Sequence, residues 1–100
     1  MILYEVNLSV QSDVAAEYLE WLRDHVEQIL RLDGFRSATL LAQEGAEDGT
    51  RCFTVHYWLA DRASLDAYFA NHAAAMRQDG LDRFGNRFTA TRRVMSVLGE

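Results

Sequence analysis

The chain has no lysine, no proline and a single cysteine. With Cys52 alone, an intramolecular disulfide and a cysteine-based metal cluster are excluded, and a reducing compartment fits. Without lysine, every fixed cation is an arginine, a planar fork suited to carboxylate or phosphate. No apolar run approaches the ~20 residues of a membrane-spanning helix. The N-terminus enters a strand-like pattern at once and shows no signal-peptide layout. The expectation is therefore a cytoplasmic protein with no membrane partner. A net charge of −5 argues against nucleic acid as a partner. Nucleophile motifs, phosphate loops, repeats and linkers are missing too, and DRFGNRF (82–88) is too poor in glycine to cradle a phosphate.

What is present suits one small domain spanning residues 1–100, since 100 residues with 49% hydrophobic content support a single core. Its organising stretch is 52–59, CFTVHYWL. This run is β-branched and aromatic, without glycine or carboxylate, as expected of a central strand. Alternation gives it two faces. Phe53, Val55, Tyr57 and Leu59 form one, apolar but for a phenol. Cys52, Thr54, His56 and Trp58 form the other, mixed but not solvent-like. A strand with no clearly wet face requires cover on both sides. Helices supply one cover, and a second subunit is the candidate for the other.

Residues 2–10 alternate as a strand with Ile2, Tyr4, Val6, Leu8 and Val10 on one face. Ser12 or Asp13 is expected to cap a helix whose apolar stripe runs through Val14, Tyr18, Trp21, Leu22, His25, Val26 and Ile29. Gly34 stops it. Residues 35–43 form a second strand, joined to the central one through an acidic turn carrying Glu44, Glu47 and the hairpin signal Asp48-Gly49. Asp61 caps a second helix running to about 78 and stopping at Gly80, with a stripe of Leu65, Tyr68, Phe69, His72, Ala73 and Met76. Residues 80–87 read as a loop or single turn, and 88–98 as a last strand. The order β-α-β-β-α-β is the α+β, ferredoxin-like plan: a four-stranded antiparallel sheet with both helices on one face, and the first and third strands central.

The stretches MILYEVNLSV, YLEWLRDHVEQIL, YFANHAAAMRQDGLDRFGNRF and TRRVMSVL span nearly the whole chain. On them the sequence resembles the dimeric α+β barrel superfamily, which includes antibiotic-biosynthesis monooxygenases. Within it, the chain is most similar to a family of short bacterial proteins of unknown function. The resemblance implies a homodimer in which two sheets close face to face. The superfamily's haem degraders use an Asn on the first strand and an aromatic residue and a His on the second helix. Asn7 matches the first in type. The aromatic position falls near Tyr68, which is not Trp, and the helical His falls near Met76 or Arg77, so haem degradation is poorly supported.

Three sets of residues could carry chemistry. His25 and His72, inside the two helical stripes, would line a pocket between helices and sheet with Trp21, Tyr68 and Tyr4. There a histidine could act as acid or base or bind a ligand. The plainer reading is two core histidines bonded to backbone or tyrosine hydroxyls. On the mixed sheet face, Glu5, Asn7 and His56 with Arg92 of the last strand would form a polar network, either an acid/base pair or a device that fixes dimer register. The chain is −7 over residues 1–75 and +2 over 76–100. Accordingly Arg83, Arg87, Arg92 and Arg93 could grip an anion or, more simply, pair with carboxylates. No metal is expected, for want of a paired-histidine or carboxylate ligand set, and no cofactor. Cys52 reads as a small buried apolar group.

The function implied is a homodimer binding a small aromatic or anionic molecule under the helices. A cofactor-independent monooxygenase or isomerase is the alternative, and a scaffold presenting an Ala-rich helix face is a further one. Whether a reaction exists at all is left open, since a fold does not fix a function.

Overall fold

A computed structural model of the chain describes residues 1–45 and 49–99. Strand β1 (Ile2–Gln11) is followed by a 3-10 turn (Ser12–Val14) and helix α1 (Ala15–Leu30). Then come β2 (Phe35–Ala42), β3 (Thr50–Leu59), α2 (Arg62–Asn71), α3 (Ala73–Phe84), a 3-10 turn (Gly85–Arg87) and β4 (Phe88–Ser96). The four strands are antiparallel in the order β2-β3-β1-β4, so the first and third are central. This is the ferredoxin-like plan. No helix among the described residues is long and apolar enough to cross a membrane.

Alternation fixes which face meets the helices. Tyr4, Val6 and Leu8 stand opposite Tyr57, Val55 and Phe53, and all six are buried. Onto them α1 lays Tyr18, Leu22, Val26 and Ile29, and α2 lays Leu65 and Tyr68. Each such aliphatic or aromatic side chain contributes roughly 1.5–3 kcal/mol on full burial. The other face carries Leu3, Glu5, Asn7 and Ser9 beside Trp58, His56, Thr54 and Cys52, with no helix above it.

Local chemistry explains most boundaries and corrects several. Asp61 caps α2 by accepting from the Ser64 backbone N–H at 2.8 Å. Gly34 sits at φ +88°, and a Cβ there would lie 2.3 Å from the Ser64 Cβ. It admits the first turn of α2 but does not end α1, which stops at Leu30 with Arg31 as its C-cap, three residues earlier. Neither Ser12 nor Asp13 caps α1. They form the 3-10 turn, no side chain caps either element, and the Ser12 N–H donates to the Gly49 carbonyl at 2.9 Å. The hairpin signal falls partly on Asp48, which with Glu47 lies outside the described residues.

The second helix is two helices. His72, at φ −131° and ψ −32°, breaks the run after Asn71, and both residues are poor helix formers. Gly80 does not stop α3. It is buried within it, where a Cβ would lie 2.9 Å from Trp21 Cη2 and 3.5 Å from Phe88 Cζ. The helix continues to Phe84 and ends at Gly85, at φ +56°. The stretch 80–87 expected as a loop is thus mostly helix, because Gly80 serves close packing rather than termination.

Candidate functional site

Between the helices and the sheet lies a cavity of about 270 Å³. Its floor is apolar, with Val55 and Leu22 buried beneath it. Aromatic rings make its walls. Tyr4 stacks on Tyr57 (centroids 5.8 Å apart) and meets Tyr68 at 6.2 Å, while Tyr18 contacts Trp21 at 5.4 Å and Phe88 at 5.0 Å. Arg77 and Arg92, both exposed, stand where the cavity meets solvent.

Four tyrosines line this space, and their hydroxyls are not equally engaged. The Tyr4 hydroxyl accepts from Arg77 Nη2 at 3.3 Å. Tyr18, Tyr57 and Tyr68 are at most 4% exposed, yet their hydroxyls find no hydrogen-bond partner among the described residues. They are not sealed off either, so they face the cavity with donors to spare. Burial pushes the Tyr18 and Tyr57 phenols up and that of Tyr68 up to about 12. All three keep their protons at neutral pH.

His25 is half-buried and stacks on Trp21 at 4.5 Å, with planes 25° apart. Burial lowers its pKa, Asp79 pulls the other way, and Arg92 adds to the lowering. The ring is therefore neutral at neutral pH and able to accept a proton. Trp21 is fixed by its Nε1–H, which donates to Asp79 Oδ2 at 2.9 Å. That bond, more than any other influence, holds the Asp79 carboxyl below its usual range. Trp21 and His25 also wall an outer cleft with Glu17, Glu20 and Asp24, and so divide inner cavity from outer surface.

Of the residues expected in the pocket, Tyr4, Trp21, His25 and Tyr68 are brought together, and His72 is not. It is exposed at the α2–α3 break, because the helical stripe does not continue through that break. Arg92 requires the opposite correction. It lies opposite Val6 on the helix-facing side and lines the cavity, so it takes no part in the mixed-face network. Arg93, opposite Glu5, takes that place. The parity of β4 follows Phe88, Ala90 and Val94, which pack against the core and carry Arg92 with them.

The open-face network is continuous. Gln43 Nε2 donates to Thr54 Oγ1 (3.1 Å), Thr54 Oγ1 to Asn7 Oδ1 (2.7 Å) and Asn7 Nδ2 to Glu5 Oε2 (2.9 Å). Arg93 Nε donates to the same Glu5 oxygen at 2.5 Å, and His56 Nε2 lies 2.9 Å from Oε1. Glu5 is only 6% exposed although no helix covers it, since its neighbours enclose it. Arg93 first, then Asn7 and His56, bring its pKa down to about 2. A carboxylate so fully engaged is a poor proton acceptor, and this cluster reads as a structural device.

Arg83 pairs with Asp79 at 3.5 Å and Arg87 with Asp13 at 3.8 Å. Arg92 has no ion pair or hydrogen bond among the described residues. No three His, Cys, Asp or Glu residues among those described converge as a metal site. Sequence reasoning missed Arg77, Tyr18 and Tyr57 as cavity residues. The lone phenol of Tyr57 on an otherwise apolar strand face was the signal available for one of them.

The sheet order and the helix-covered face define an α+β domain of the ferredoxin-like fold. More narrowly, the chain belongs to the family described as a domain of unknown function, DUF4286, whose profile matches residues 1–98. Solved structures share the fold at low identity. A candidate antibiotic biosynthesis monooxygenase from Deinococcus radiodurans superposes with a TM-score of 0.78 at 16% identity, over 100% of this chain and 94% of that one. SnoaB, a cofactor-independent oxygenase from Streptomyces nogalater, gives 0.72 at 16% identity, covering 99% of this chain and 95% of that one. A dimeric ferredoxin-like protein from an uncultured marine organism gives 0.71 at 16%, covering 99% and 96%. No curated protein sequence matches the chain.

Proposed function

We propose that the protein is a homodimer that binds a small aromatic or anionic molecule in the cavity between helices and sheet. The observation that carries the reading is the set of buried tyrosines, Tyr18, Tyr57 and Tyr68, which line that cavity and whose hydroxyls have no partner among the described residues. Unspent donors on buried groups are costly unless something accepts from them, and a ligand with oxygen acceptors does so. Dimerisation is supported by the uncovered sheet face. There Leu3, Trp58 and Met95 are half-buried and Leu41 is 41% exposed, and one structural neighbour is described as dimeric.

A thermal-shift panel of one- to three-ring aromatic compounds tests the binding, with Ala90→Phe as control. Ala90 lines the cavity, and the larger ring would occupy it. A ligand at 100 times its Kd stabilises by about 2.7 kcal/mol, an upward Tm shift of roughly 10 °C or more for a chain this size. The shift is expected in the wild type and lost in Ala90→Phe. Equal shifts in both would contradict the reading.

The second reading, a cofactor-independent oxygenase or isomerase, is favoured by one observation: His25 is neutral and lines the cavity, as a general base requires. On that reading His25→Ala abolishes turnover of a phenolic substrate while the far-ultraviolet dichroism is unchanged. Retained turnover would remove His25 from the chemistry.

A further inference from the structure

The cavity is amphipathic, and its polarity has a direction. Inside are buried phenols and aliphatic side chains, and at the mouth stand two exposed guanidinium groups, Arg77 and Arg92. None of the lining residues is a carboxylate, although the chain as a whole is acidic at −5. Arg83 and Arg87 have acidic partners, Asp79 and Asp13. Arg92 has none among the described residues. Arg77 is held by neutral groups, the Tyr4 hydroxyl at 3.3 Å and the Phe69 ring at 6.0 Å, and has no ion pair among the described residues.

We propose that the cavity takes a one- or two-ring aromatic carboxylate, its ring system among the tyrosines and its carboxylate at the mouth on the guanidinium groups of Arg92 and Arg77. This rests on the binding reading above and names the ligand class for the same site. Size agrees: a cavity of roughly 150 Å³ holds benzene, and about 270 Å³ holds a larger ring system. Chemistry agrees as well, since the guanidinium fork matches a carboxylate with two parallel hydrogen bonds. The free phenols of Tyr57 and Tyr68 donate to further oxygens on the ring. The fields of Arg77 and Arg92 both reach the Tyr68 hydroxyl, so the two cations serve one region of the cavity.

The test uses two isosteric probes, 2-naphthoate and 2-naphthalenemethanol, titrated calorimetrically into the full chain. The wild type is expected to bind the acid at least tenfold more tightly than the alcohol. Arg92→Gln, at an exposed position, is expected to erase that preference by weakening the acid at least tenfold more than the alcohol, and Arg77→Gln to reduce it. Equal binding of acid and alcohol by the wild type would overturn the anion assignment and leave the cavity reading standing. Binding of neither probe would overturn both. Unchanged naphthoate affinity in both arginine variants would also overturn the assignment, because the carboxylate would then sit elsewhere.

Discussion

His25 lies between opposing charges, and that gives its titration a testable sign. Burial and Arg92 lower its pKa, while Asp79 raises it. In a proton-exchange titration followed by NMR, the wild-type imidazole is expected to titrate below its ordinary value of 6.5. Arg92→Gln should move it up and Asp79→Asn further down. The folded state therefore binds this proton less readily than the unfolded chain does. The stability His25 contributes is lost as pH falls through 6.5 towards the folded value. Movement in the opposite directions would place the ring elsewhere. Glu5 gives the same kind of test on the other side of the sheet. Its carboxyl is depressed from 4.5 to about 2, so its contribution is intact above pH 4.5 and is lost as pH falls from there towards 2. Denaturant unfolding should show stability declining across that window, and Glu5→Gln should be less stable at neutral pH with a flatter acid limb. An unchanged limb would mean that Arg93, Asn7 and His56 do not engage the carboxylate.

Among the elements, α3 depends most on one small residue. Gly80 lets Trp21 and Phe88 approach the helix, and a methyl group there would meet Trp21 Cη2 at 2.9 Å. Alanine gains up to ~1 kcal/mol in helix propensity, but displacing a packed indole that also bonds Asp79 costs roughly 1–3 kcal/mol. Gly80→Ala is therefore expected to be neutral to about 2 kcal/mol destabilising, with an altered Trp21 fluorescence spectrum. A clearly stabilised variant with an unaltered spectrum would show that the contact is slack. The same element shows where sequence reading ends. Strand alternation and helical spacing were enough for β1, β3 and α1, because the apolar residues recur at the right period. A glycine near a helix end has two uses, stopping the chain or admitting a neighbour, and only tertiary structure distinguishes them. In β4, Arg92 and Arg93 are adjacent and chemically identical, so charge alone does not say which faces the helices. The parity of Phe88, Ala90 and Val94 does. The Trp21–Asp79 bond spans 58 positions and left no local trace. His72 kept the spacing of its stripe yet fell at a break, which periodicity does not register.

At the scale of the molecule, the two faces of one sheet are built differently. The helix-covered face holds a cavity whose Tyr18, Tyr57 and Tyr68 hydroxyls and Arg92 guanidinium have no partner among the described residues. The uncovered face holds a hydrogen-bond network flanked on one side by a row of half-buried Leu3, Trp58 and Met95. On the reading proposed above, the first takes a ligand and the second a second copy of the chain. Strand alternation made the two faces legible in the sequence, whereas the side of the sheet taken by Arg92 was legible only from the parity of β4. The dimer and the ligand meet in a single measurement, native mass spectrometry of the protein purified gently from its own host. The expected result is a dimer carrying a reproducible extra mass of small-molecule size, absent from the Ala90→Phe variant. A bare species that gains no mass when one- and two-ring aromatic compounds are added would contradict the cavity as a binding site.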